Sequence, residues 1–233
     1  MKSYSTLADM KKTIEESSSA SGAGKRFIYL RDGDNYKIRF RQELTEDGSN
    51  FDEDAGTAAV VPVVTSPVNW KYKAMSTADS ADHDYRCWAK EQMITDKRWK
   101  PRPVLLINAA IEIEPGSWEP RIIEATLTNP RHIGQTIIEY AETYGTITDR
   151  YYKFSRTGSG PQDTSYTLIP LENGDAPESI TNLQMHDLDN VYKVVPYDQQ
   201  ESFYTTGEVA SSGGGWYKSR VVGGGGCPLP LLL

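Results

Sequence analysis

The stretch TDRYYKFSRTGSG, residues 148–160, sets cations beside aromatic rings in a chain whose net charge is −7. Tyr151, Lys153 and Arg156 fall within six consecutive positions. Single-stranded nucleic acid is bound by this combination, because bases stack on aromatic rings while Lys and Arg contact the phosphates. Each stacked base contributes roughly 1–3 kcal/mol. The stretch therefore predicts a strand that binds a flexible polyanion.

Alternate residues of a strand point to opposite faces. On the strand from Arg150 to Arg156, we expect Tyr151, Lys153 and Arg156 to line a binding cleft. Tyr152 and Phe154 are expected in the core.

The same interleaving occurs in WKYK, residues 70–73, and in YKIRFR, residues 36–41. In the second run Tyr36, Ile38 and Phe40 alternate with cations, so one face of the strand should be buried and the other basic. With the neighbouring basic residues, these patterns predict the following nucleic-acid contacts: Arg31, Lys37, Arg39, Arg41, Trp70, Lys71, Tyr72, Lys73, Trp99, Lys100, Arg102, Tyr151, Lys153 and Arg156.

Basic and acidic residues are segregated along the chain. Six basic residues stand against two acidic ones at 24–41, and eight stand against five at 70–103. The acidic residues are concentrated at 42–60 and 170–208. Because the local field governs binding, the overall acidity does not exclude a nucleic-acid partner.

Residues that could form an active site are scattered. His83, His132 and His186 lie in unrelated contexts, and the sequence has no nucleophile elbow, phosphate-binding loop or zinc-protease motif. His83 and Cys87 have a spacing that can chelate zinc, but a structural zinc site takes four ligands. We therefore expect no enzymatic activity, no metal site and no cofactor.

Length and composition are those of a globular protein. The 233 residues are 38% hydrophobic and 24% charged. No apolar run approaches the roughly 20 residues of a membrane span. The start of the chain lacks the apolar segment of a secretory signal, and two cysteines supply no disulfide framework. These features predict a protein of a reducing cytoplasm without a membrane partner.

Short strand-like runs between turn signals predict a mainly β fold, an OB-type Greek-key barrel with inserted loops and one or two short helices. Two strand-like runs flank the turn at 32–34, and the apolar run at 104–114 is expected to be the central strand. A helix is predicted over 129–145, a hairpin over 151–171 and a second short helix near 177–185.

The chain divides into three parts on composition. These are a flexible N-terminal segment (1–24), a barrel domain (25–208) with an insertion at about 74–103, and a glycine-rich tail (209–233).

Three motifs resemble the single-stranded DNA-binding proteins of tailed bacteriophages, which are distantly similar to the T-even phage helix-destabilising protein. They are RDGDNYKIRFRQEL at 31–44, the cysteine-bearing insertion with its apolar strand at 83–112, and the helix-to-hairpin stretch at 144–171. The likeness covers roughly residues 25–196. Its most specific part is the hairpin motif Arg156, Gly158, Gly160, Thr164, Tyr166 and Pro170.

The resemblance implies an OB fold and non-sequence-specific binding and protection of single-stranded DNA during phage replication, recombination or repair. It also implies partners among the phage polymerase, helicase or primase, and action in the host bacterial cytoplasm. Relatives often carry a zinc ribbon in the insertion, whereas only His83 and Cys87 remain here.

Two alternatives remain open at the level of sequence. An RNA-binding OB module would use the same aromatic and basic chemistry, with additional contacts to the 2′-hydroxyl. A β-rich structural or interaction module of a virion would leave the basic strand faces as solvated surface.

Overall fold

The computed structural model describes residues 26–160 and 162–209. The predicted N-terminal segment and all but the start of the predicted tail lie outside the described residues. The described elements are β1 (Asn35–Phe40), β2 (Ala59–Thr65), β3 (Lys73–Met75), α1 (Trp88–Gln92), β4 (Arg102–Glu114), β5 (Ser117–Thr126), α2 (Gly134–Tyr144), β6 (Arg150–Thr157), β7 (Ser165–Asn173), α3 (Glu178–Thr181) and α4 (Tyr197–Thr206), with 3₁₀ turns at Ala81–His83 and Lys97–Trp99.

These strands form one antiparallel sheet. Its hydrogen-bonded order is β3-β2-β4-β1-β6-β7, and β5 pairs with the other edge of β4. The mainly β fold with short helices is confirmed, but the described strands do not close into a barrel. Residues 26–30, expected to be a strand, make only an isolated bridge from Phe27 to Ile122 of β5. The free edge of β5 therefore lacks the strand partner that closure requires.

β4 is the central strand, as its apolar composition predicts. Along one edge its first half pairs with β2 and its second half with β1, while β5 follows the other edge over most of its length. Every residue from Val104 to Ile111 is buried. The reason is that both faces of this strand are covered, by α2 on the inner side and by the chain after β7 on the outer side.

The inner face of the sheet packs against α2. Phe40, Ile107 and Tyr152, from three different strands, are almost fully buried there with Ile137 of the helix. Gly145 ends the helix with a φ of 73°, a left-handed conformation in which glycine carries no Cβ penalty. The predicted helix is therefore confirmed, and it starts at Gly134 rather than at 129.

The hairpin of β6 and β7 is also confirmed, and its inward residues are those that strand alternation predicts. Tyr152 and Phe154 are 0% and 3% exposed. The Tyr152 ring lies 5.0 Å from the Phe40 ring, and Phe154 lies 5.9 Å from Tyr166. Burial raises the pKa of the Tyr152 hydroxyl.

The outer edge of β7 is protected against pairing with a further strand. The Tyr166 N–H donates to the Arg131 carbonyl at 3.0 Å, and the Tyr140 hydroxyl of α2 donates to the Leu168 carbonyl at 2.9 Å. Pro170, farther along the same edge, has no N–H to donate. This strand therefore offers few free backbone groups to another chain.

The chain after β7 crosses the outer face of the sheet; we call residues 178–195 the crossing segment. The Asn108 side chain of β4 donates to the His186 carbonyl at 3.0 Å and accepts from the His186 N–H at 2.9 Å. Leu188 is buried in one cluster with Ile122. The crossing segment divides the outer face into two open areas.

The insertion between β3 and β4 packs against α4, a helix that the sequence analysis did not predict. The Trp99 ring lies 5.1 Å from Trp88 and 5.7 Å from Tyr204 of α4. The Trp88 N–H donates to Oε1 of Gln200 at 2.9 Å. Trp99 is only 7% exposed, so its assignment as a nucleic-acid contact is corrected to a core residue.

Replacing Phe154 with alanine should lower the free energy of unfolding by about 3–5 kcal/mol, because a buried aromatic ring is lost from the core. Chemical denaturation followed by circular dichroism measures this change. Ile169→Ala is the matched control on the same hairpin, since Ile169 is 46% exposed. The control should change stability by about 0.5 kcal/mol or less. Equal losses in the two variants would show that the inward assignment of Phe154 is wrong.

Candidate nucleic-acid interface

The predicted contact residues do not form one surface. One group lines a groove at the β2–β3 end of the outer face. A second group surrounds Tyr151 on the other side of the crossing segment. Of the remaining residues, three make internal contacts and two lie on exposed turns: the first three are Arg41, Tyr72 and Trp99, and the other two are Arg31 and Lys71.

The turn between β2 and β3 presents Trp70 to solvent. The Ser66 hydroxyl accepts the Val68 N–H at 3.1 Å, and the Asn69 side chain accepts the Lys71 N–H at 3.1 Å. These bonds hold the turn in one conformation, and Trp70 remains 68% exposed. An aromatic ring so placed is available for stacking on a base.

A cavity of about 460 Å³ lies beside Trp70. β5 contributes Glu124 and Thr126 to its wall, and β2 contributes Thr65. Four cations from neighbouring elements also line it: Lys73, Arg98, Lys100 and Arg102.

Two further cavities lie beside this one. A cavity of about 390 Å³ shares Lys100 and Arg102 with the first and extends to Asn129. A cavity of about 570 Å³ shares Asn129 with the second and reaches Arg131 and Arg156. We call the three adjoining cavities the basic groove. Cations line it from end to end.

The basic groove carries an excess of positive charge. Lys73 pairs with Glu124 at 2.9 Å, and Arg98 pairs with Asp96 at 2.8 Å. Among the described residues, no carboxylate forms an ion pair with the other groove cations, Lys100, Arg102, Arg131 and Arg156. Such a field favours an anionic ligand.

His132 lies next to the groove, with its ring 4.7 Å from the Tyr166 ring. Burial lowers the pKa of His132; the Glu124 carboxylate opposes this shift, and Lys73 adds to it. His132 is therefore mainly neutral at neutral pH and adds little charge to the groove.

Tyr151 occupies the second open area of the outer face. The Nζ atom of Lys37 lies 4.1 Å from the centre of its ring, and Cζ of Arg39 lies 5.0 Å from it. The Trp118 ring is 5.6 Å away. Lys153 is exposed and directly opposite Lys37 in the β1–β6 register. We call these five residues the Tyr151 surface.

The cations of the Tyr151 surface are only partly open to solvent. Lys37 pairs with Glu172 at 2.6 Å. Arg39 is 5% exposed, because the Tyr151 ring covers its guanidinium, and its Nη1 has no hydrogen-bond partner in the described part of the chain. The row of cations predicted on β1 exists, but its middle member is buried.

Arg41 stabilises the fold rather than facing the solvent. Its guanidinium donates to the carbonyls of Thr181 at 3.1 Å, Leu183 at 3.3 Å and Ile180. These carbonyls lie at the end of α3, where backbone acceptors lack helical partners. Arg41 therefore anchors the crossing segment to the sheet.

Arg156 lies on the opposite face of β6 from Tyr151 and Lys153, so the prediction that all three share one face is wrong. The physical reason is the period of a strand, which places residues 151 and 153 on one side and 156 on the other. The Arg156 guanidinium donates to the carbonyls of Leu30 at 2.7 Å and Gly158 at 3.2 Å. It lines the far end of the basic groove instead.

The remaining predicted residues lie near the groove or on turns. The Tyr72 hydroxyl donates to the Thr206 carbonyl at 3.0 Å, which ties the β2–β3 hairpin to α4. Lys71 is exposed, with Nζ 5.9 Å from the centre of the Trp70 ring. Arg31 is exposed at the turn before β1 and lines none of the three cavities.

Sequence reasoning missed three residues of these surfaces. Arg98 belongs to the basic run at 97–102, so its neighbours gave a signal that could have included it. Arg131 is a single arginine in a loop, and Trp118 follows a turn at the start of β5. Nothing in their local sequence marks them, because tertiary packing alone brings them to the groove and to Tyr151.

No protein-family model, curated protein or solved structure matches this chain. The likeness to phage single-stranded DNA-binding proteins therefore stays a prediction from motifs. Four residues of the hairpin motif do line one cavity: Arg156, Gly160, Thr164 and Tyr166. None of the helices in the described ranges has the length and apolar composition of a membrane span.

Proposed function

We propose that this protein binds single-stranded DNA without sequence specificity and without catalysing a reaction. The basic groove is the main contact surface, and the Tyr151 surface is a second one. The observation that carries the proposal is the groove itself. An exposed Trp70 stands at its entrance, and cations line its whole length with few opposing carboxylates.

The shape of the groove supports a single strand over a duplex. Duplex readers commonly insert an α-helix or a two-stranded ribbon into the major groove. Here the cations line a concave surface beside an exposed indole ring, which needs an unpaired base to stack on. A flexible strand can follow such a surface, and its phosphates would meet Lys100 and Arg102.

We also propose that the fold is a variant of the OB-type Greek-key barrel. Its support is the pairing of β4 with three strands and the bridge from Phe27 to Ile122 at the open edge of β5. The role in phage replication, recombination or repair, the replication partners and the host cytoplasm belong to the same proposal. They rest on the motif resemblance.

The RNA-binding alternative uses the same groove and differs in the 2′-hydroxyl contacts. The virion alternative leaves the groove cations to solvent and assigns no ligand to Trp70. A fluorescence titration with DNA, RNA and duplex oligonucleotides separates both alternatives from the main proposal.

Intrinsic fluorescence should be quenched when an oligothymidylate is added, because Trp70 would stack on a base. The affinity should exceed that for a duplex of the same length at the same salt concentration. Comparable affinities for the two would contradict the proposal. Tighter binding of oligouridylate would favour the RNA module, and no response to any nucleic acid would favour the virion module.

Raising the salt concentration should weaken binding steeply, since phosphate contacts release counterions. For single strands, log K against log salt falls by about 0.7 per phosphate contact. Contacts from about four groove cations give a slope near −3 on that scale. A fluorescence titration at graded salt measures the slope, and a value near zero would exclude phosphate contacts.

Alanine at Trp70 or at Tyr151 should weaken single-strand binding by roughly 1–3 kcal/mol, because each variant removes a stacking ring. Tyr85→Ala is the matched control, since Tyr85 is 67% exposed and lines none of the three cavities. Loss of affinity in the Trp70 variant alone would restrict the interface to the groove. Unchanged affinity in both variants would remove the stacking argument altogether.

A further inference from the structure

The loop between β6 and β7 forms the far end of the basic groove. Its cavity of about 570 Å³ is lined by Asn129, Arg131, Arg156, Ser159, Gly160 and Thr164, among others. We call this cavity the hairpin pocket. It shares Asn129 and Pro130 with the middle cavity of the groove and therefore lies next to it.

Arg156 contacts described residues on both sides of the loop. Besides the Leu30 and Gly158 carbonyls, its guanidinium contacts Oγ1 of Thr164 at 3.2 Å. The Thr164 hydroxyl in turn donates to the Gly160 carbonyl at 2.6 Å. These bonds fix the Arg156 and Thr164 side chains in the pocket wall, so ordering these two side chains adds little to the cost of binding.

Gly158 makes this loop conformation possible. Its φ is 90°, and a Cβ atom at this position would lie 2.3 Å from the Asp163 carbonyl oxygen. Its N–H donates to the Asp32 side chain at 2.7 Å. The Asp163 carboxylate accepts the Gly160 N–H at 2.7 Å and so is engaged within the loop.

The Arg131 side chain is held less firmly than that of Arg156, because it makes only one hydrogen bond to the described residues. Its backbone is held by the Asn129 side chain at 3.0 Å and by the Tyr166 N–H at 3.0 Å. Its side chain is exposed and donates to the Gln162 carbonyl. No described carboxylate pairs with it, so most of its five N–H donors are available at the rim of the pocket.

We propose that the hairpin pocket binds a phosphate group of the strand that enters the groove at Trp70, with Arg131 as the contacting residue and Arg156 as the residue that positions the loop. Arginine presents two parallel N–H donors to a phosphate, a geometry that lysine lacks. This inference rests on the proposed function and extends it. The bound strand spans all three cavities, and its last phosphate contact is Arg131.

The test uses Arg131→Gln with oligothymidylates from about 4 to about 16 nucleotides, the range of site sizes found for one OB domain. Short oligonucleotides occupy the Trp70 end and should bind the variant as they bind the wild type. Oligonucleotides long enough to reach the hairpin pocket should bind the variant about tenfold more weakly, the effect of one charged hydrogen-bonded contact. The salt slope for the long ones should become shallower by about 0.7.

Two controls accompany this variant. Arg86→Gln removes the same charge from a residue that lines none of the three cavities, and it should bind all lengths as the wild type does. Arg131→Lys keeps the charge but cannot make the bidentate contact to a phosphate. Compared with Arg131→Gln, it should therefore restore the wild-type salt slope but only part of the wild-type affinity. Thermal unfolding of each variant checks that the fold is retained.

Inorganic phosphate separates the two possible sources of the ligand. The amide resonances of Gly158, Ser159 and Gly160 should shift when phosphate is added at constant ionic strength, and Arg131→Gln should abolish the shift. If those resonances shift but long oligonucleotides bind Arg131→Gln normally, the pocket takes free phosphate and the strand assignment is overturned.

The remaining outcomes distinguish this inference from the proposed function. In two of these outcomes the wild type binds oligonucleotides, and Arg131→Gln either loses the same affinity at every length or loses none. Either result would overturn the role of the hairpin pocket and leave single-strand binding intact. Failure of the wild type to bind any oligonucleotide would overturn single-strand binding and, with it, the path of the strand.

Discussion

The fold depends on one strand that pairs along both edges with three partners. β4 is long enough for β2 and β1 to share one edge while β5 occupies the other. Such a strand must be apolar on both sides, and every residue from Val104 to Ile111 is buried. The sheet therefore has an inner face filled by α2 and an outer face that also needs cover.

The crossing segment supplies this cover, and a buried polar network fixes its position. Asn108, in the middle of β4, bonds to the His186 backbone in both directions and also donates to Gln42 Oε1 at 3.0 Å. A buried amide left without these partners would cost about 1–3 kcal/mol, so the network favours one placement of the segment. That placement separates the basic groove from the Tyr151 surface. The outer face thus carries two basic areas rather than a continuous one, and the cavity at Arg156 lies on the side of β6 that faces away from Tyr151.

Within this frame, arginine serves two purposes that its sequence context does not distinguish. Arg41 and Arg156 satisfy backbone carbonyls and hold a helix end and a hairpin loop. Arg102 and Arg131 are exposed and unpaired with any described carboxylate. The planar guanidinium suits both tasks, because it offers five donors to carbonyls or to phosphates alike. Only the surrounding backbone decides which acceptors are within reach.

The sequence by itself determined the mainly β character, the central strand, the helix ending at Gly145 and the inward residues of β6. Each follows from a local period or a local turn preference, and such preferences act over a few residues. Tertiary structure alone decided that Trp99 is covered by α4, that Arg39 lies beneath Tyr151, and that Arg131 joins the basic groove. These outcomes depend on contacts between residues far apart in the chain. The charge and shape of a surface are set by such contacts, so no local pattern can specify them.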